Sequence, residues 1–392
     1  MVSFYQKIWN LQEVAMQKKW ISALVLAVVL GILAGLFVVA RPEAAPVSEA
    51  AEYMEYENAV VEQILSDSTE SDPVSENHYR GGQTLIVRVK TGRYAGQQMM
   101  ADNTVGPIYG RPMAVGDGIT VGLSTYADGT VRCYVYEYNR FPGLLIVAAV
   151  FLLVTVLVGG RVGLKSLLSL GLTVAALIFV LLPLLLKGWP TILTTFFVSV
   201  LVTAATFVIL GGVDKKTVCA CLGTLAGIAL ATLFGLLAQH ILAIDGYRQE
   251  YAEALLQLRQ TGESAIGISG LITAGVIVSA LGAVMDVAMS ISSAIQELTR
   301  VNPDLTARDL MRSGMNIGRD MVGTMTNTLI LAILGSGLTL VVYIYSLGLQ
   351  PWQLLSSAYM SLEAISGVAS SIGVMLAVPL TAAVCAVSFG KK

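Results

Sequence analysis

Histidine, cysteine and charge are all scarce in this chain, and each shortage closes off a class of function. It holds 2 histidines and 4 cysteines in 392 residues. The histidines, His78 and His240, are far apart and no H-E-x-x-H occurs, which argues against an intramembrane zinc protease. The cysteines (Cys133, Cys219, Cys221, Cys385) are too few and too scattered for a disulfide framework. Cys219 and Cys221 open an apolar helix, where thiols serve as small packing residues, and no metal or cofactor is expected. The phosphate loop G-x-x-x-x-G-K-[ST] is missing, so the chain does not hydrolyse ATP by that route. No second aspartate plainly forms a dyad with Asp286, so an enzyme reading finds little to stand on. A net charge of −2 gives no footprint for nucleic acid.

Only 13% of residues are charged, against about a quarter in a soluble domain, while 55% are hydrophobic. The apolar residues are gathered into blocks of about twenty, the length that a hydrocarbon core of ~30 Å demands of a helix. The composition therefore predicts an integral membrane protein: an α-helical bundle of about eight spans, with a small β domain inserted after the first. Three regions follow. Residues 1–40 are a polar start and a membrane anchor, 41–141 an extracytoplasmic linker and β domain, and 142–392 a membrane domain. The apolar run 21–40 is too long for the core of a cleaved signal and reads as a retained anchor.

Within 41–141, residues 41–61 are Ala- and Glu-rich, and the acidic, Ser-rich stretch 66–78 is expected to be mobile. Short β-branched and aromatic runs follow at 84–89, 97–100, 118–123 and 130–138, with a first strand at 58–65. Ala127-Asp128-Gly129 is a hairpin signal. About five strands with the turn Val115-Gly116-Asp117-Gly118 fit a small barrel, of OB type. Tyr134, Tyr136 and Tyr138 share one strand face and are expected to pack at the barrel wall or the membrane interface.

The later spans are placed at 143–158, 164–186, 191–210, 217–244, 267–295, 321–345 and 367–389. Lys and Arg in short loops mark the cytoplasmic side. Lys18, Lys19, Arg161, Lys165, Lys215, Lys216, Arg300, Arg308, Arg312, Arg319 and Lys391 all fall on one side, which puts both termini in the cytoplasm and 41–141 outside a bacterial inner membrane. The segment 351–389 is too long for one span and is expected to break near Gly367, with 352–365 interfacial or re-entrant and carrying Glu363.

Polar residues inside the spans single out one place. Asp286 lies well inside an apolar run, and an ionisable side chain there costs several kcal/mol, so it is a functional-site candidate. It shares a helix face with Gly275, Ser279, Gly282, Ser290 and Ser293. The next span opens with Arg319 and Asp320, and Asp320, Thr324, Asn327 and Thr328 share a face. Asp286 and Asn327 both lie about 12 Å from the same surface at ~1.5 Å per residue. Asp286 is therefore expected to face Thr324, Asn327 or Thr328, with Arg319 and Asp320 as an outer charged layer. Gly223, Gly227, Ala231 and Gly235 lie four apart and predict a close helix contact. Asn302-Pro303-Asp304 reads as a helix start, and 302–318 as a helix lying on lipid or docking a cytosolic partner.

The stretch Ala280-Leu281-Gly282-Ala283-Val284-Met285-Asp286-Val287-Ala288, with Gly314-Met315-Asn316-Ile317-Gly318-Arg319-Asp320-Met321-Val322-Gly323-Thr324-Met325-Thr326-Asn327-Thr328-Leu329, resembles the YibE/F-like family of bacterial membrane proteins. The likeness runs from about residue 58 onward. It implies a multi-pass permease architecture and adds weight to Asp286, Arg319, Asp320, Thr324 and Asn327, without a substrate. The expectation is a permease-like carrier of a small solute or ion, proton-coupled through Asp286. Its rival is a membrane-anchored sensor or scaffold whose β domain binds a partner and whose 302–318 helix docks a cytosolic protein. Membrane lipid and a second copy of the chain are further candidate partners.

Overall fold

The computed structural model describes residues 2–40, 53–75, 78–126, 129–249, 251–262 and 264–391, with the side chains of 2–16, 18 and 53 outside that description. The linker start at 41–52 and Ala127-Asp128 of the expected hairpin turn also lie outside it. The chain divides into two compact units, Ala44–Leu157 and Met1–Glu43 with Val158–Lys392.

The first unit holds a closed barrel of five strands, each falling over a stretch of β-branched and aromatic sequence. They are β1 (Tyr53–Asp67), β3 (Tyr79–Val89), β4 (Gln98–Val105), β5 (Gly118–Thr125) and β6 (Val131–Tyr138), with a two-residue β2 (Glu70–Ser71) laid against β3. The order β1-β5-β6-β4-β3 closes because β1 is long enough to pair with β5 along its first half and with β3 along its second. All these pairs are antiparallel except β4–β6, which runs parallel. Alternation along β3 turns Leu85, Val87 and Val89 inward against Ile119, Val121 and Leu123 of β5. One buried amide network pins the barrel. Gln83 Oε1 accepts from the Met113 amide at 2.7 Å and from Asn103 Nδ2 at 3.0 Å. Tyr136 stands on the outer wall, edge-on to Tyr56 at 4.8 Å, but Tyr138 does not share its face as expected: a register shift pairs it with Ile119 and turns it onto the core, where the Arg111 guanidinium lies 4.4 Å from its ring.

Within the acidic stretch 66–78, residues 76 and 77 lie outside the described residues. Its acidic and hydroxyl side chains close turns on themselves. Asp67 Oδ1 accepts from the Thr69 amide at 2.9 Å and hydroxyl at 2.6 Å, and Ser68 N donates to Gly82 O at 2.9 Å.

Six helical stretches are long and apolar enough to cross a membrane, or seven if one bent pair counts as a span. Helix α1 (Val2–Ala40) contributes Lys19–Ala40. A second stretch, Phe141–Leu186, contains α2 (Phe141–Ala176), a π turn (Leu177–Leu181) and α3 (Leu182–Leu186). Two separate spans were expected here, at 143–158 and 164–186, and two helices do meet at a kink between them, at Gly160, whose φ of 53° leaves the helical region. Then come α4 (Thr191–Gly211), α5 (Lys215–Leu242), the short α6 (Ala252–Gln260) and α7 (Leu271–Val301). The bent pair is α8 (Ala307–Ser336) and α9 (Leu338–Ser346), followed by α10 (Pro351–Leu355) and α11 (Ala358–Phe389).

Three expectations are corrected in this last part. The span 321–345 is not one helix but turns by 61° at Gly337, behind the run Gly335-Ser336-Gly337. The break expected near Gly367 lies instead at Ser356-Ser357, because Pro351 and the paired Gln350 and Gln353 build α10 as a separate turn. Gly367 is buried inside an unbroken α11. Finally, Asn302 is not the N-cap of the next helix but closes the C-terminus of α7, its amide donating to Leu298 O. The helix starts after Thr306, whose hydroxyl bonds reciprocally with Asp309, and 307–318 continues straight into α8 rather than forming a separate surface helix.

The bundle is organised around α11, which packs on α5, α7 and α8. Along α5 the spaced small residues let two backbones meet. A methyl group at Gly223 would overlap the Thr381 side chain; one at Gly227 would lie 2.9 Å from Ala377 Cβ and 2.8 Å from Val284 Cγ1. On the facing helix, one at Gly373 would lie 2.7 Å from Ala231 Cβ. From α8, Gly314 and Gly318 seat on Ala382 and Val378 of α11.

Overpacking this contact should cost about 1–3 kcal/mol. Gly227→Val should therefore lower the thermal unfolding midpoint of the detergent-solubilised chain. Gly275→Ala, at an open position, should leave it unchanged. In the barrel, the Thr69 hydroxyl first, then its amide and Gln83, hold the Asp67 carboxyl below the usual carboxylate range. That support is complete above the unfolded value of about 3.9 and is lost as pH falls through the lower folded value. Amide exchange at Thr69 should accelerate over that acid range in the wild type, whereas Asp67→Asn should exchange fast at every pH.

Candidate functional site

The acid expected to organise the membrane domain sits on the outward face of its helix. Asp286 is exposed on α7, and Gly282 and Ser290, one turn to either side, are exposed with it. Among the described residues Asp286 has neither a hydrogen bond nor an ion pair. The expected pairing across to α8 is not formed. Arg319, Asp320, Thr324, Asn327 and Thr328 are all exposed on α8. Thr324 Oγ1 donates to Met321 O at 3.1 Å and Thr328 Oγ1 to Thr324 O at 2.9 Å, so both hydroxyls are spent on their own helix. The cause lies in the packing. The small residues of α8, Gly314 and Gly318, face α11, so α8 leaves α7 soon after their shared turn, where Gly314 still touches Ile295. Glu363, on the second turn of α11, is exposed too.

One member of the expected set does meet a partner. Ser279 turns inward from α7 and its Oγ lies 2.6 Å from Ser370 Oγ of α11. It belongs to a seam of hydroxyl and amide groups between α5, α7 and α11. At one end Gln239 Nε2 donates to Thr273 Oγ1 at 2.6 Å. Further along, Thr224 and Thr381 are wholly buried, and neither hydroxyl has a hydrogen-bond partner among the described residues. Then Ser292 Oγ lies 3.3 Å from Cys385 Sγ. At the far end Gln296 Nε2 donates to Asp214 Oδ2 at 2.7 Å. Fixed charge enters only at that last level.

Alongside, α4 carries a second column. Thr191, Thr195, Ser199 and Thr203 recur every four residues and all are buried. Thr195 and Ser199 donate to the carbonyls four residues earlier at 2.7 and 2.8 Å, while the Thr203 hydroxyl is unpartnered among the described residues. Buried polar groups in a protein interior are nearly always bonded, so these unpartnered hydroxyls stand out. A search of the sequence for ionisable residues misses this seam. The readable signal is Ser or Thr at four-residue spacing inside apolar runs.

The described residues contain no group of three or more His, Cys, Asp or Glu side chains that could hold a metal ion. The apolar cavities lie elsewhere. One of about 460 Å³ opens where α9 meets α10 and α11, lined by Val341, Ile344, Tyr345, Leu349, Leu354 and Met360.

No curated protein and no solved structure matches the chain. A family profile does, over residues 147–391, which takes in the spans after the barrel together with Asp286 and the α8 cluster. With well over half of its length matched, the chain belongs to the YibE/F-like protein family.

Proposed function

We propose that this protein is a permease-like carrier of a small solute or ion, whose path follows the hydroxyl seam between α5, α7 and α11. The observation that carries the reading is the pair of wholly buried, unpartnered hydroxyls of Thr224 and Thr381 in the middle of that seam. A hydroxyl lining without charge suits a solute that exchanges water for hydroxyl and carbonyl oxygens, and it sets no charge sign of its own. Asp286 sits on the back of the same α7 and serves as the proton-coupling group. A carboxylate at that depth needs cover. The partner that fits is a second copy of the chain, laid over the exposed faces that hold Asp286 on α7 and Arg319, Asp320, Thr324 and Asn327 on α8. The basic residues on one side of the spans favour a bacterial inner membrane with both termini cytoplasmic and the barrel outside.

The sensor reading keeps one observation in its favour. The β1-β3-β4-β6-β5 connectivity, with its parallel β4–β6 pair, is that of an OB barrel, a fold whose walls and loops bind ligands. In that reading, the exposed Arg308 and Arg312 at the start of α8 would meet a cytosolic partner.

The carrier reading is checked by ion- and solute-sensitivity profiling of a deletion strain. Thr381→Val keeps the shape of the side chain and removes the hydroxyl. Thr381→Val and Asp286→Asn should each insert normally and fail to restore the wild-type profile. Full rescue by both would remove the seam and the acid from any transport role. A carrier should also keep its activity when 44–138 is replaced by a short linker; loss of activity, with the spans intact, would favour the sensor.

A further inference from the structure

Three of the contacts that join α5 to α11 follow one antiparallel register. Gly223 meets Thr381, Gly227 meets Ala377, and Ala231 meets Gly373. Each step of four residues forward on α5 is a step of four back on α11, as two straight antiparallel helices in contact require. The next step beyond Gly223 is Cys219, and the next beyond Thr381 is Cys385. Both side chains are buried. The sulfurs confirm what the register implies. Cys219 Sγ lies 4.0 Å from Val384 O on α11. The Cys219 and Cys385 thiols interact with one another across this helix contact. On its other side Cys385 Sγ meets Ser292 Oγ at 3.3 Å.

Two thiols in contact differ in kind from a lone packing cysteine. A disulfide needs α-carbons about 4.4–6.8 Å apart and β-carbons facing one another. One turn from the pair, the two backbones approach until a methyl group at Gly223 would overlap Thr381, so the helices are close where the thiols meet. Between Ser292 Oγ and Cys385 Sγ either atom can be the donor.

We propose that Cys219 and Cys385 form a dithiol site that a two-electron thiol oxidant, of the azo or peroxide class, converts to a disulfide joining α5 to α11. With an azo oxidant, one sulfur adds to the N=N bond and the second sulfur displaces it. An S–S bond forms, two S–H bonds break, and both protons and both electrons end on the hydrazine product. With a peroxide they end on two waters. Oxidation fixes the two central helices of the bundle to one another beside the seam, so any rearrangement that slides α5 along α11 stops until a reductant restores the thiols.

The test uses full-length protein in native membranes with Cys133 and Cys221 replaced by serine, so that only the pair remains. Membranes are treated with diamide, unfolded in detergent, and the free thiols are counted by the gel shift of a maleimide-linked polymer. The labelled thiols should fall from two to none in a band of monomer mobility, and dithiothreitol should restore both. Adding Cys219→Ser or Cys385→Ser should leave the surviving thiol labelled after the same treatment. Two thiols still labelled after diamide would overturn the proposal, and so would a bridge that joins two chains.

Discussion

The membrane domain depends on how closely the backbone of α5 approaches that of α11. In lipid there is no hydrophobic gain in bringing two apolar helices together, because the tails they leave are as apolar as the side chains they meet. Association comes from dense packing, and density at a helix crossing requires small residues. Here the small residues come from both sides, Gly223 and Gly227 on α5 and Gly373 and Ala377 on α11. The same face-to-face logic draws α8 onto α11 through Gly314 and Gly318. α11 is thereby surrounded by α5, α7 and α8.

That arrangement decides where polar groups go. A helix held on its small and β-branched face must turn the opposite face away. On α7 the face turned away carries Gly275, Gly282, Asp286 and Ser290. The interior is left with groups that are polar but uncharged. Threonine and serine can be buried cheaply in a helix because the hydroxyl reaches back to the carbonyl of the preceding turn, as Thr195, Ser199, Thr232 and Ser371 do. Among the described residues the buried hydroxyls without a partner are those of Thr203, Thr217, Thr224, Thr326 and Thr381.

Much of the architecture was legible in the sequence. Every barrel strand was placed, because alternation and turn residues act locally. The glycine ridge of α5 was legible because its four-residue period is unbroken. The fate of Asp286 was not legible. Depth along a helix follows from residue number alone, and on that measure Asp286 and Asn327 match. Rotation about the axis depends on which neighbour takes which face, and that was settled by Gly314 and Gly318 choosing α11. The bend at Gly337 and the break at Ser356-Ser357 were missed because the surrounding residues stay apolar, so composition gives no sign of a change in direction. The reciprocal bonds of Thr306 and Asp309 were overlooked in favour of the nearer Asn302-Pro303, although both patterns are read from the same few residues.

The closure of the barrel by β1 has a consequence for recognition. An open sheet offers its rim to any extended peptide, which can add itself as one more strand and be held by main-chain bonds alone. Here β1 pairs along both flanks, with β5 and with β3, and only the two-residue β2 stands beside them as an extra rung. β4 and β6 meet over only two residue pairs, so a visitor finds unpaired backbone in short runs there, and any longer contact has to be made by side chains on the outer wall, such as Tyr56 and Tyr136.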